Sequence, residues 1–414
     1  MLHEIRCLRR ASRAAAQQGD DEDGDSGTHG GTVPARKDFS PIAQNPRWTT
    51  KGERMKRICV ILSMLLAALP STAGAGPERQ IGDTSLWTRI GAPGMPEGIA
   101  VRDGVVYVST HVSARGNAGA EASKIFRFDL ETKQPLGAIT VSGQTTSGTH
   151  GLLSIAFDAS GRLYVLDRNP SRVVRIDLTS GEQETYASFP ELPTCRPVIG
   201  PSTNCAPVTV DEPNFVDYLA FDGAGNAYVT DLQAATIWRV PPNGIPEIWF
   251  QDARLDSIFG PNGIAVDAAG TTIYFAMTGS NQPTSPTQGI IYTLPIKDAP
   301  VAADLKVFHT FLTPASGPDG IAFGASGKLY VALAGSNQVA ILNPDGTEFA
   351  IFPNAVSNQM QEVPYDLPAS VAFDGNGSLL VTNQSFFTAT ESHWAVLDAW
   401  VGDTAQPLIE PPIA

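Results

Sequence analysis

The sequence predicts an all-β fold, a six-bladed β-propeller built from four-stranded antiparallel blades. Three observations predict it. A short apolar-Ala-apolar phrase, usually with Asp and Gly soon after, occurs six times, centred on Ala100, Ala156, Ala220, Ala265, Ala322 and Ala372. Those alanines are 56, 64, 45, 57 and 50 residues apart, the period of propellers and other repeat arrays. After each phrase come β-rich runs divided by Gly-containing turns, and no window carries a long helical period.

In chain order, residues 85–90 (SLWTRI) precede the first repeat and have no partner within it. They are expected to close the ring beside 395–401 (AVLDAWV) in the last blade. The second repeat shows the full pattern. Residues 154–158 turn at 159–161 into 162–167, then 172–178 turn at 179–181 toward a fourth strand at 183–189. The fifth repeats it as GIAFG, KLYVAL and QVAILN, a Pro344-Asp345-Gly346 turn, and 348–352. Ring closure with short blade edges leaves little unpaired strand, which separates this architecture from a competing pair of β-sandwiches. Long insertions precede the third blade (190–214) and the fifth (294–317). The Ile, Phe, Tyr and Val runs, with Trp238, Trp249, Trp394 and Trp400, are expected to pack between blades.

Ahead of the repeats, Met1 to Arg54 is polar and reads as a disordered leader or a mis-assigned upstream start. Residues 55–75 follow the grammar of a secretory signal: Lys56 and Arg57, an apolar stretch from Ile58 to Leu69, then Ala73-Gly74-Ala75. That apolar stretch is short of the roughly 20 residues a bilayer span needs, although an uncleaved anchor is the alternative. The expected organisation is one propeller domain over 76–414, exported to the periplasm or beyond. With 28 Lys+Arg against 42 Asp+Glu and a net charge of −14, the chain offers no basic surface for nucleic acid or anionic lipid. Cys195 and Cys205, ten residues apart in a Pro-rich stretch, are expected to form a disulfide in an exported protein. Their spacing fits no common zinc pattern.

Three residues before the alanines stand Glu97, Leu153, Asp217, Asn262, Asp319 and Ala369. Repeated units present equivalent positions to a common axis, so Glu97, Asp217, Asn262 and Asp319 are expected to converge at the channel mouth. Oxygen-only donors favour a hard divalent ion, calcium first, with magnesium, manganese or zinc as alternatives. Such an ion would relieve the repulsion among three carboxylates. The competing reading is that these are turn residues, since Pro96-Glu97-Gly98, Pro261-Asn262-Gly263 and Pro318-Asp319-Gly320 are all Pro-X-Gly. His150, six residues before Ala156, is a further candidate as a proton shuttle, or else an ordinary loop histidine. No Gly-X-Ser-X-Gly elbow, His-Glu-X-X-His or phosphate-cradling loop is present.

On these four positions in this order, the sequence resembles the senescence-marker-protein/gluconolactonase group, which includes regucalcin and bacterial sugar lactonases. More distantly it resembles the strictosidine-synthase-like propellers. The resemblance runs from about Pro96 to Gly402. It implies a metal held by Glu97, Asn262 and Asp319, with Asp217 completing the site or touching substrate. It also implies that Asp319 is the base, and Asp217 is the second choice for that role. There are departures: relatives carry Asn where Asp217 stands, Pro-Val-Trp does not follow the first motif, and the substrate-binding Arg of the sugar lactonases has no evident counterpart. The expected activity is metal-dependent hydrolysis of a small-molecule lactone or related ester by a monomer. The alternative is a non-catalytic propeller whose ion only pins the blades, leaving a face to bind a ligand or protein.

Overall fold

The computed structural model describes residues 78–112, 121–195, 203–281, 287–354 and 361–413. The expected leader and signal segment lie outside the described residues. The described chain is β-structure with short 3-10 turns, and no helix in it is long and apolar enough to cross a membrane.

The strands assemble as antiparallel sets of four, as the sequence predicts. An N-terminal strand, β1 (Thr84–Arg89), precedes the first set of β2 (Pro96–Arg102), β3 (Val105–Val112), β4 (Lys124–Asp129) and β5 (Pro135–Thr140). The second set is β6 (His150–Phe157), β7 (Leu163–Asp167), β8 (Arg172–Ile176) and β9 (Gln183–Ser188). A short bridge between β3 and β6 joins the two, with His111 opposite Gly151 and Val112 opposite His150. Next come β10 (Val216–Phe221), β11 (Ala227–Asp231), β12 (Thr236–Val240) and β13 (Glu247–Gln251). The fourth set is β14 (Pro261–Val266), β15 (Thr272–Met277), β16 (Gln288–Pro295) and β17 (Lys306–Pro314). The fifth is β18 (Pro318–Phe323), β19 (Leu329–Leu333), β20 (Gln338–Leu342) and β21 (Glu348–Phe352). The last comprises β22 (Pro368–Phe373), β23 (Gly377–Asn383) and β24 (Ala395–Asp403), and β1 pairs with β24 as its fourth strand.

The repeated phrase codes for packing between sheets. Each repeat alanine lies opposite a large residue on the next strand: Tyr107, Tyr164, Tyr228, Tyr274, Tyr330 or Leu380. The small side chain leaves room for the large one. Four of those tyrosines then meet, edge to face, the phenylalanine of the following repeat. The pairs are Tyr107–Phe157 and Tyr164–Phe221 at 5.1 Å between centroids, and Tyr274–Phe323 and Tyr330–Phe373 at 4.9 Å. Each such pair adds about 0.5–1.5 kcal/mol beyond its buried area. The aspartate after the phrase ties the turn. Asp158 accepts from the Ser160 and Arg162 amides at 2.9 and 3.0 Å and from the Tyr164 hydroxyl at 3.1 Å. Asp222 does the same for Ala224, Asn226 and Tyr228.

Burial falls from the first strand of a sheet to the last: β10 is almost wholly buried and β5 almost wholly exposed. The first strands touch one another in order, β2 with β6, β6 with β10, β10 with β14, β14 with β18, β18 with β22, and β22 with β2.

The expected disulfide is not formed; Cys195 and Cys205 are free thiols. Hydrogen bonds hold the residues on either side of the segment instead. The Cys195 amide donates to Ala206 O at 2.9 Å, the Ala206 amide to Pro193 O at 2.8 Å, and Gln251 Nε2 to Cys205 O at 2.6 Å.

Candidate metal and catalytic site

In all six first strands the register slips at the same place. The break falls between Pro96 and Ile99, Leu152 and Ile155, Val216 and Leu219, Pro261 and Ile264, Pro318 and Ile321, and Pro368 and Val371. The six residues singled out by spacing therefore all sit in bulges, which release a side chain from the pleat and re-aim it. The Pro-X-Gly segments are strand starts, not turns. Their glycines are required by close approach. A Cβ on Gly98 would lie 2.3 Å from Leu153 O, on Gly263 2.1 Å from Asp319 O, and on Gly320 2.7 Å from Ala369 O. Each of those carbonyls belongs to the equivalent residue of the next sheet.

Hydroxyls from the second strands fix the bulges. Ser109 Oγ accepts from the Gly98 amide at 2.9 Å and donates to Leu153 O at 2.5 Å. Thr382 Oγ1 accepts from Ser370 at 2.8 Å and donates to Glu97 O at 2.6 Å, linking the last sheet to the first. Tyr218 Oη donates to Ala369 O at 3.0 Å, joining the third sheet to the last.

Glu97, Asp217, Asn262 and Asp319 are all less than a tenth exposed. Burial pushes the Glu97 carboxyl well above its usual range, and the charges of Asp319 and Asp217 push it further. Asp319 is raised in the same way, by burial and then by Asp217. The Tyr218 hydroxyl, the Gly320 amide and the Asn262 side chain act against that rise. Asp217 is raised to about 7, chiefly by burial, with Arg168 opposing. The fold thus brings Glu97, Asp217 and Asp319 within electrostatic reach of one another and sets Asn262 beside Asp319.

A metal's fit can be tested on the donor atoms. Asn262 turns its amide nitrogen to Thr278 Oγ1 at 3.0 Å, which leaves its carbonyl oxygen buried with no partner. Asp319 Oδ1 is likewise buried and unpartnered. Orphaned buried oxygens of this kind call for a bound group, and oxygen donors suit calcium or magnesium better than zinc. Among the described residues, however, no three His, Cys, Asp or Glu side chains are arranged to hold a metal ion by themselves. The donor set therefore depends on the Asn262 amide, a neutral ligand that adds no repulsion. Leu153 and Ala369 fill the remaining two positions without donors.

Three neighbours carry no mark in the sequence. Gln384, just beyond β23, donates from Nε2 to Glu97 Oε2. Half-buried Arg168, just beyond β7, faces Asp217 and Glu97, stacks on Phe215 with its guanidinium carbon 3.6 Å from the ring centroid, and bonds His111 Nε2 at 3.1 Å. Burial lowers its pKa to about 10. Tyr218, directly after Asp217, is the third. His150 is fully buried, with Nδ1 3.0 Å from Gly148 O and Nε2 2.9 Å from Glu121 O. Each ring nitrogen thus lies within hydrogen-bonding distance of a main-chain carbonyl, and the residue sits at the β3–β6 junction.

The chain is similar to the SMP-30/gluconolactonase/LRE-like family. The family model for the SMP-30/Gluconolactonase/LRE-like region matches residues 219–385, which hold Asn262 and Asp319 but not Glu97 or Asp217. No curated protein sequence matches the chain. Among solved structures, a calcium-binding protein, regucalcin, from Agrobacterium tumefaciens strain C58 superposes with a TM-score of 0.52 at 17% identity, over 79% of this chain and 97% of that one. A luciferin-regenerating enzyme gives 0.51 at 14% identity, over 78% and 98%. The PQQ-bound aldose sugar dehydrogenase from Streptomyces coelicolor gives 0.54 at 16%, over 77% and 98%. At these identities the likeness is one of fold, and these folds host different chemistries.

Proposed function

We propose that this protein is an exported six-bladed β-propeller, its ring closed by β1, that hydrolyses lactones or related esters with the help of one divalent cation, calcium first. The observation that carries this reading is the pair of orphaned buried oxygens, Asn262 Oδ1 and Asp319 Oδ1, set beside three carboxyls that burial raises above their usual range. Glu97, Asn262 and Asp319 would hold the ion, and Asp217 would complete the site. A divalent ion there would polarise the substrate carbonyl and make water easier to deprotonate.

The chain's own groups supply the rest. Asp319 accepts the proton of the attacking water, with Asp217 as the alternative base. The water oxygen adds to the carbonyl carbon, the ring C–O bond breaks, and the proton passes to the leaving alkoxide, giving a hydroxy acid. Arg168 offers a fixed positive charge beside the site for a developing oxyanion. Gln384 holds Glu97 in place.

The test is elemental analysis of purified protein together with a lactone and ester panel, with and without chelator. Hydrolysis lost on chelation, and lost in Asp319→Asn, supports the reading. Full turnover by Asp319→Ala on every lactone that wild type cleaves overturns the role of Asp319. Chelation that lowers thermal stability, with no hydrolysis across the panel, favours the structural-ion alternative.

A further inference from the structure

Gln384, which bonds the buried Glu97, begins a loop that continues through Phe386 and Phe387. Phe387 is 54% exposed. Its ring meets Phe259, 38% exposed, at 6.5 Å between centroids and 83° between planes. Phe259 lies two residues before β14, and Phe387 lies four residues beyond β23. The contact therefore joins the loop that leads into the fourth sheet to the loop that leaves β23 of the last sheet. Phe386 packs on Phe387 at 5.3 Å and on His111 at 5.4 Å, and His111 bonds Arg168. A continuous chain of contacts thus runs from exposed aromatic rings to the buried acids.

These rings are held in place. Asp366 Oδ2 accepts from Ser385 Oγ at 2.7 Å and Thr388 Oγ1 at 2.6 Å, and lies 2.9 Å from His393 Nδ1. That network brackets Phe386 and Phe387. On the other side, the Gly279 amide donates to Phe259 O and the Gly260 amide to Leu232 O, both at 2.9 Å, fixing the turn of Ile258 and Phe259. Ile258 is also 53% exposed. Phe386 packs partly against the core beneath it, whereas Ile258, Phe259 and Phe387 hold apolar surface in water beside a polar site, an arrangement with a ligand-binding rationale.

We propose that Phe259, Phe386 and Phe387, with Ile258, form an apolar rim that binds the hydrocarbon substituent of the substrate. The substrate class is then alkyl- or aryl-substituted lactones in preference to polyhydroxylated sugar lactones, whose hydroxyls would lose water against aromatic faces without gaining partners. This rests on the hydrolase reading above.

The experiment compares kcat/KM for γ-lactones of increasing alkyl chain length and for glucono-δ-lactone, in wild type and in the Phe259→Ala/Phe387→Ala double variant. In parallel, calorimetry follows binding of an alkyl γ-lactam, which keeps the ring and chain but resists hydrolysis. Wild-type kcat/KM is expected to rise up to about fourfold per buried methylene. The double variant should flatten that rise while leaving the unsubstituted lactone unchanged, and should weaken lactam binding more than about tenfold. Hydrolysis that ignores chain length, favours the sugar lactone, or keeps its slope in the variant overturns the rim and leaves the hydrolase reading standing. Lactam binding that depends on the two phenylalanines without turnover of any lactone supports the rim and overturns hydrolysis.

Discussion

Asp217 supplies the most quantitative expectation. Its carboxyl is raised from 3.8 to about 7, chiefly by burial. The folded chain therefore holds this proton more tightly than the unfolded chain does. The contribution to stability is full below about pH 4 and is lost as pH climbs to about 7. At about 1.4 kcal/mol per pH unit, the span from 3.8 to about 7 gives an upper limit of ~4 kcal/mol. For a domain this size about 2 °C accompanies each kcal/mol, so up to about 8 °C of Tm is at stake. Glu97 and Asp319 move in the same direction and deepen the fall. Asp167 and Asp231, both raised to about 6, add to its lower half. The perturbation is Asp217→Asn, which keeps the shape and removes the charge. The assay is a thermal scan of chelated wild type and variant from about pH 4.5 to about pH 7.5. Wild-type Tm should fall across that window, the variant should fall less by several degrees, and saturating calcium should restore wild type at the upper end. Parallel curves for the two proteins, or a wild-type Tm that rises with pH, would refute the buried-cluster argument.

Other expectations follow from the same geometry. Asn262→Ala should weaken cation binding about 10–100-fold by calorimetry, whereas Asn262→Asp keeps an oxygen donor and should retain most of it. Arg168→Met removes a positive charge beside Glu97 and Asp217, so cation affinity should rise severalfold, while loss of the contact on Phe215 costs about 1–2 kcal/mol in denaturant unfolding. Gly263→Ala sets a Cβ 2.1 Å from Asp319 O and should cost about 3 kcal/mol or more, against about 1 kcal/mol for Gly104→Ala, which meets nothing within 4 Å but strains a φ of +74°.

The sequence by itself determined the strand character, the four-strand repeat and the residues occupying the key positions. Alternation of apolar residues and turn chemistry are local, so they are written in adjacent positions such as SIAFD and RLYVLD. It also determined that Glu97, Asp217, Asn262 and Asp319 share one place in the repeat. Only the tertiary structure decided that this place is a bulge, because a slip of register depends on the partner strand and leaves no trace in alternation. The same holds for Gln384, which reaches Glu97 across 287 residues of chain, and for Arg168, Tyr218 and the Phe259–Phe387 contact. Main-chain hydrogen bonds join Cys195 and Pro193 to Ala206, which cysteine spacing cannot reveal. Such residues gain meaning only when distant sheets meet, since that proximity is set by the packing of whole strands and not by neighbours in the chain.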